Sequence, residues 1–406
     1  MRSRGITALA LATLTRLGAW PALGQAPATS THPPYPWADQ HLPPMVLHKH
    51  GIFWAGGQVV KRTQVGTEGS GPVTVPIATQ DYSVGQAYVE YFIPEHLRHG
   101  KKTLPIVMVP GGNLVGVHYL TTPDGREGWA DFFIRRGFPV YIVDVPGRGR
   151  AGFIPDQFNN VRQGAALPSS QPNLATFDGA GWQEWNTGPS PMVQGPFDPN
   201  CFGNDARGVP PTYCNGDLMP ATTIPQYLHW LGALMPQGPT PGSSNNGLIA
   251  VLQTVGPAIY IGHSAGGSSG GTIANDHPEL FKAVIGLEPA SDCMLLPGVP
   301  ISGLAQVPTL SVHGATNQVG RPQTGPCVNT YKQITAMGGD ATYLSLANIP
   351  DSVLTRLGVS SSDIPQFGIW GTDHIMMWDN VSDDIAVIVL DWIERHVEKK
   401  QNDKDE

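Results

Sequence analysis

The chain has 406 residues, of which 14% are charged and 49 are Gly and 39 Pro, with a formal net charge of -8. It is long enough to bury a large core, and its loop-rich, weakly charged composition is that of a globular protein rather than a disordered one. No basic cluster occurs in its body, which argues against nucleic acid as a partner.

Arg2 and Arg4 precede a short apolar stretch, Ile6 to Thr15, and Gly24-Gln25-Ala26 offers small residues where a signal peptidase reads. Residues 1–26 therefore read as a signal peptide, although Arg16 interrupts the apolar run, and the mature chain as secreted or periplasmic. No later run is long and apolar enough to span a bilayer. The four cysteines, Cys201, Cys214, Cys293 and Cys327, suit an oxidising compartment. Three pairings are open; Cys201–Cys214 and Cys293–Cys327 are favoured, as staples of loop-rich segments. None has metal-site spacing with histidines, so no metal is expected.

Residues 27–45 are Pro-rich and aperiodic. Val46 to Gly57 and Val73 to Pro94 alternate apolar and polar residues, as antiparallel strands do. Leu104 to Val109 is a continuous apolar run, the pattern of a strand buried on both faces, and ends at Pro110-Gly111-Gly112. Asp124 to Arg136 has helical spacing, and Phe138 to Val145 is the next buried strand. The β-α-β order predicts a mostly parallel sheet with helices on both faces and an antiparallel N-terminal edge. Residues 150–220 break the rhythm with Pro, Gly, Asn and Gln, and read as an inserted cap or lid. Its aromatics Trp182, Trp185, Phe197 and Phe202 are candidates for pocket lining or for plain packing. Helical character resumes over Ala221 to Met235 and Gly247 to Val255. Strands follow at Ala258–Ile261, Lys282–Leu287, Thr309–Val312 and Ala341–Leu346, and the last helix spans Ile385 to Val397.

The chemistry gathers around Gly262-His263-Ser264-Ala265-Gly266. This G-x-S-x-G follows an apolar strand and precedes helix-compatible sequence, the context that exposes a serine on a sharp strand-to-helix turn. A serine hydroxyl needs a base within hydrogen-bond reach and a third group to orient that base. Four histidines follow Ser264. His277 lies too close behind the elbow helix, His313 sits inside an apolar strand, and His396 is near the end of the final helix. His374, in the polar loop Gly371-Thr372-Asp373-His374, remains. The usual place for the acid, the loop after Thr309–Val312, holds Asn317, whose amide carries no charge to stabilise an imidazolium. Glu288 closes the preceding buried strand, where an unpaired carboxylate would be costly, and its length helps it reach a neighbouring loop. It is the preferred acid, with Asp292 in reserve. Oxyanion donors are expected from the backbone N–H groups of Ala265 and Gly112, with Asn113 as the alternative to Gly112. His118 and Tyr119 follow that glycine loop and are candidate substrate contacts.

Taken together, these stretches resemble the α/β-hydrolase superfamily, and within it bacterial carboxylesterases whose triad acid is a Glu after strand six. The likeness rests on His50-Gly51-Ile52-Phe53, Pro110 to Gly116, Thr121 to Trp129, Asp144 to Arg150, the elbow, Leu287-Glu288-Pro289 and His374-Ile375-Met376-Met377. It implies Ser264, Glu288 and His374 as the triad, an oxyanion N–H from Gly112, a small-molecule ester as substrate and no cofactor. Lactone or amide hydrolysis, and a silent hydrolase fold that only binds, are the alternatives. Oligomeric state stays open, a homodimer among the options. The expected whole is one α/β-hydrolase domain over residues 27–406.

Overall fold

The computed structural model describes residues 44–67, 74–171, 185, 197–198, 213–214, 219, 224–235, 243–290, 293–295, 298–314, 326–346, 349–358, 369 and 372–399. The expected leader at 1–26, Asp292, Asn317, Trp182, Phe202 and Cys201 lie outside these residues, as does most of the expected cap.

The first two strands, β1 (Leu47–Thr67) and β2 (Thr74–Pro94), pair antiparallel along their whole length. The alternation at Val46–Gly57 marked only the part that lies by the sheet. The ribbon continues because β2 offers a partner throughout, from Gln58 opposite Val84 to Thr67 opposite Thr74. Next come β3 (Ile106–Val109), α1 (Trp129–Arg135), β4 (Val140–Asp144) and α2 (Pro155–Arg162). Two short strands, β5 (Phe197–Asp198) and β6 (Tyr213–Cys214), pair with each other, followed by α3 (Ile224–Gly232) and α4 (Ser243–Val255). The remainder is β7 (Ala258–His263), α5 (Ala265–Asp276), β8 (Phe281–Leu287), β9 (Thr309–His313), α6 (Pro326–Ala336), β10 (Ala341–Ser345), α7 (Asp351–Arg356) and α8 (Ser382–Ile393). No helix among the described residues is long and apolar enough to cross a membrane.

The main sheet has eight strands in the order β1-β2-β4-β3-β7-β8-β9-β10. β1, β2 and β4 pair antiparallel, and every later pairing is parallel. The apolar runs read as doubly buried strands are enclosed: every residue of β3, β7 and β9 is buried. Alternate side chains feed two separate cores. Ile106, Met108, Ile142, Ile259 and Ile261 meet Trp129, Phe133, Ile385 and Trp392 on one face. Val107, Val109, Val143 and Tyr260 meet Leu248, Val251, Leu252 and Ile273 on the other. Burial of such apolar surface is the main force holding helices to both faces of the sheet.

Helix α1 starts at Trp129, later than the spacing from Asp124 predicted. The intervening residues form a turn instead. The Gly125 N–H donates to the Thr122 carbonyl at 2.9 Å, the Thr122 hydroxyl bonds Asp124 at 2.6 Å, and Gly125 has φ 86. Short Asp and Thr side chains compete with the helix for its own backbone there. Trp129 then fixes α1 to α8: it is fully buried, and its Nε1–H donates to the Ser382 carbonyl at 3.1 Å. Trp129→Ala is expected to cost about 3–5 kcal/mol by cavity formation, read as a loss of unfolding free energy in urea.

Candidate active site

The carboxyl ends of β3, β7, β8 and β9 lie side by side, which is where parallel sheets present their loops to ligands. Ser264 stands between β7 and α5 with φ 50 and ψ -119. Its N–H donates to the Leu287 carbonyl at 2.9 Å, and its carbonyl accepts from Ala290 at 3.0 Å. The elbow is tied on both sides to the end of β8. The turn closes tightly enough to exclude side chains beside it. A Cβ on Gly262 would lie 2.5 Å from the Gly266 oxygen, and one on Gly266 would lie 2.6 Å from the Val109 and Pro110 oxygens.

Glu288 follows β8 with φ 45 and is 2% exposed. One carboxylate oxygen accepts the Gly314 N–H from the end of β9. The other, Oε2, faces His374 Nδ1 at 3.7 Å, an ion-pair distance longer than a hydrogen bond. Burial works against the Glu288 charge. The His374 imidazole and the Gly314 N–H outweigh it and hold the carboxyl below its ordinary range. Gly314 makes this meeting of loops sterically feasible, since a Cβ there would lie 2.9 Å from the Asp373 oxygen and 3.1 Å from Glu288 Oε1.

His374 is held from several directions. Its N–H donates to the Trp185 carbonyl at 3.1 Å, and the Trp185 ring centroid lies 5.3 Å from its own. Of Trp182, Trp185, Phe197 and Phe202, Trp185 is the one whose side chain is described, and it packs beside the imidazole. From below, His263 Nε2–H donates to the His374 carbonyl at 2.8 Å, and the two rings lie 4.8 Å apart. On the preceding turn, Asp373 Oδ1 accepts the Ile375 N–H at 2.5 Å, while Asp379 accepts the Asp373 N–H at 3.1 Å. Arg126 donates to the Asp379 carbonyl at 2.9 Å. Ser264 and His374 make no hydrogen bond to each other in this conformation; their backbones are linked through His263, the residue beside the serine.

The loop after β3 lies against the serine. A Cβ on Gly111 would sit 2.9 Å from Ser264 Cβ and 2.7 Å from His263 Nδ1. Asn113 has φ 56, and its carbonyl accepts the Met235 N–H at 2.7 Å. Among the described residues, the three non-glycine residues with positive φ are Asn113, Ser264 and Glu288. All three stand on the loops that meet here, as strained residues at functional sites do. His118 and Tyr119 are both fully buried. The Tyr119 hydroxyl donates to the Val109 carbonyl at 3.0 Å, and His118 Nδ1–H to the Val115 carbonyl at 2.9 Å. Enclosed behind the loop, neither offers a surface to a substrate in this conformation.

Sequence reasoning passed over His263, Gly314 and Arg148. His263 occupies the variable position of the elbow motif, before Ser264, where the chain order Ser, acid, His places no base. Gly314 is a lone glycine after a strand, a weak mark of close approach. Arg148 lies in Pro146-Gly147-Arg148-Gly149 and is 7% exposed, a burial no local pattern announces. Among the described residues no group of three His, Cys, Asp or Glu side chains is placed to hold a metal ion.

No family model matches the chain. A fungal protein described as "Probable secreted lipase phiG" (Fungal sp., strain ATCC 74256) is 26% identical over 343 residues, covering 76% of this chain and 85% of the relative. A solved structure described as a novel bacterial esterase superposes with a TM-score of 0.65 at 26% identity, covering 87% of this chain and 98% of that one.

Three histidines near the site are buried and uncharged at neutral pH. Burial pushes His118 and His313 down, each to about 4, and His263 well below its ordinary value. In the unfolded chain each regains a value near 6.5. Below that pH the unfolded state binds more protons, so stability is full above about 6.5 and is lost as pH falls toward 4. Glu288 acts in a different window: its lowered value stabilises the fold above the ordinary Glu range, and this contribution is lost only as pH falls through that range. Thermal unfolding from pH 7.5 to 4.5 is expected to show Tm falling from about pH 6.5, and His313→Asn should make the fall shallower.

Proposed function

From an α/β-hydrolase fold that resembles the bacterial esterases, we propose that the chain is a serine carboxylic-ester hydrolase working through Ser264, His374 and Glu288. The observation that carries the reading is the convergence at one sheet edge of the strained Ser264 elbow and the Glu288–His374 pair at 3.7 Å. Two relatives described as a secreted lipase and an esterase support the same class of reaction.

The reaction runs in two acyl transfers. Ser264 Oγ attacks the ester carbonyl carbon while His374 takes its proton, and the buried Glu288 carboxylate stabilises the imidazolium that forms. The carbonyl oxygen becomes an oxyanion, met by the N–H groups of Gly112 and Ala265. Collapse of this intermediate breaks the carbon–oxygen bond, and His374 returns its proton to the departing alcohol. Water, deprotonated by His374, then attacks the acyl-enzyme; the carboxylic acid leaves and Ser264 recovers its proton. The three residues need not be hydrogen-bonded in sequence before substrate binds, since such contacts commonly tighten in the complex. Trp185 beside His374 supports a role for the 150–220 segment in shaping the substrate's surroundings.

The N-terminal 26 residues act as an export signal in this reading, which the secreted relative supports. Cys293 is 3% exposed and disulfide-bonded, which supports the expected pairing with Cys327.

A fluorophosphonate should label Ser264 covalently, where an inert binding protein would stay unlabelled. Ser264→Ala is expected to keep the fold, by circular dichroism, and to lose at least about 10³-fold of turnover on short chromogenic esters. Glu288→Gln should cripple turnover while Asn317→Ala leaves it near the native level. The reverse pattern moves the acid to the loop after β9, and amide cleavage without ester cleavage replaces esterase by amidase.

A further inference from the structure

The guanidinium of Arg148 is buried, yet no carboxylate bonds it among the described residues. Its near neighbour Asp144 is fully engaged elsewhere. Asp144 Oδ1 accepts the Gly116 N–H at 2.7 Å and Arg150 Nη2 at 3.1 Å; Oδ2 accepts the Arg150 N–H at 2.9 Å and Nε at 2.8 Å. Arg148 Nη1 instead donates to two carbonyls of the loop after β3, those of Gly111 and Leu114, the latter at 2.9 Å. Burial pushes the guanidinium down to about 10, so it remains a cation at neutral pH. Burying an arginine without a paired carboxylate is costly, and the Gly111 carbonyl already accepts a neutral donor, the Leu114 N–H, at 3.4 Å.

The Gly111 carbonyl belongs to the same peptide unit as the Gly112 N–H. In a trans peptide the two point in opposite directions. A donor that pins the oxygen therefore fixes where the N–H points, and a cationic donor also draws electron density toward that oxygen and strengthens the N–H as a donor. This peptide lies against the serine, since a Cβ on Gly111 would sit 2.9 Å from Ser264 Cβ. The rest of the loop is held independently, by Met235 on the Asn113 carbonyl and Asp144 on the Gly116 N–H.

We propose that Arg148 is a positioning residue of the oxyanion site: from behind the loop it orients and polarises the Gly111–Gly112 peptide, so that the Gly112 N–H meets the negative oxygen of the tetrahedral intermediate. The inference rests on the serine-hydrolase reading above and adds to it a buried cation on the side of the loop away from the substrate. Such a group acts on the transition state more than on the bound ester, because full negative charge develops only there.

The test compares Arg148→Met and Arg148→Lys with the unmutated chain, as kcat per active site titrated to completion with a fluorophosphonate. The Met variant is expected to lose about 10- to 100-fold in kcat per site, less than the loss of an oxyanion donor itself, with KM within about twofold. It should bind a trifluoromethyl ketone, which forms a tetrahedral adduct with serine, more weakly by a similar factor. The Lys variant keeps the charge but not the planar fork, and should fall between. A merely structural role would lower Tm and the number of titratable sites while each remaining site turned over at the native rate, and that result overturns the proposal. Should Arg148→Met not fold, Arg148→Lys decides by the same measure: native turnover per site overturns the proposal, and a reduced value with matched loss of ketone affinity supports it. Failure of the unmutated chain to label at Ser264 would instead sink the hydrolase reading, and this inference with it.

Discussion

A carboxylate enclosed by protein has to be met by donors or lose its charge, and Glu288, with 2% of its surface exposed, imposes that demand on the loops around it. One oxygen is met by the Gly314 N–H at the end of β9, the other by His374 from the loop before α8. Three chain segments far apart in sequence must therefore close on one point. The supports around them follow from the same demand: Asp379 and Arg126 hold the turn carrying His374, and His263 holds its carbonyl from beneath the elbow. Trp185, from residues 150–220, reaches the same place.

Charges of opposite sign flank the elbow. In strand order β3 and β8 flank β7, so the loop backed by the Arg148 cation lies on one side of Ser264 and the Glu288 anion on the other. Between and around them sit His118, His263 and His313, buried and neutral. In the proposed mechanism, the cation behind the Gly111–Gly112 peptide and the anion beside His374 are complementary in sign to the charges that would develop on the oxyanion and the imidazolium. Backbone strain is confined in the same way, at Asn113, Ser264 and Glu288 among the described non-glycine residues. Regular pairing and two apolar cores elsewhere in the sheet hold these conformations in place.

Elements whose cause is local were legible in the chain. The enclosed strands β3, β7 and β9 announced themselves as unbroken apolar runs, and the elbow as a serine between glycines after such a run. Boundaries failed where a side chain competed with the backbone, as at Thr122 and Asp124 ahead of α1. They failed also where a partner strand prolonged an element past its own pattern, as at Gln58 to Thr67 in β1.

The amino-acid sequence alone determined the mostly parallel sheet and its antiparallel edge, and it singled out Ser264, His374 and Glu288 as candidates, because periodicity and motif spacing act over a few residues. Tertiary structure alone decided that His118 and Tyr119 face inward, that His263 links the elbow to the His374 loop, that Gly314 makes room for Glu288, and that Arg148 grips the loop after β3. Each of these depends on which loops the folded sheet brings together, and burial and hydrogen bonding between residues distant along the chain leave no periodic trace within it.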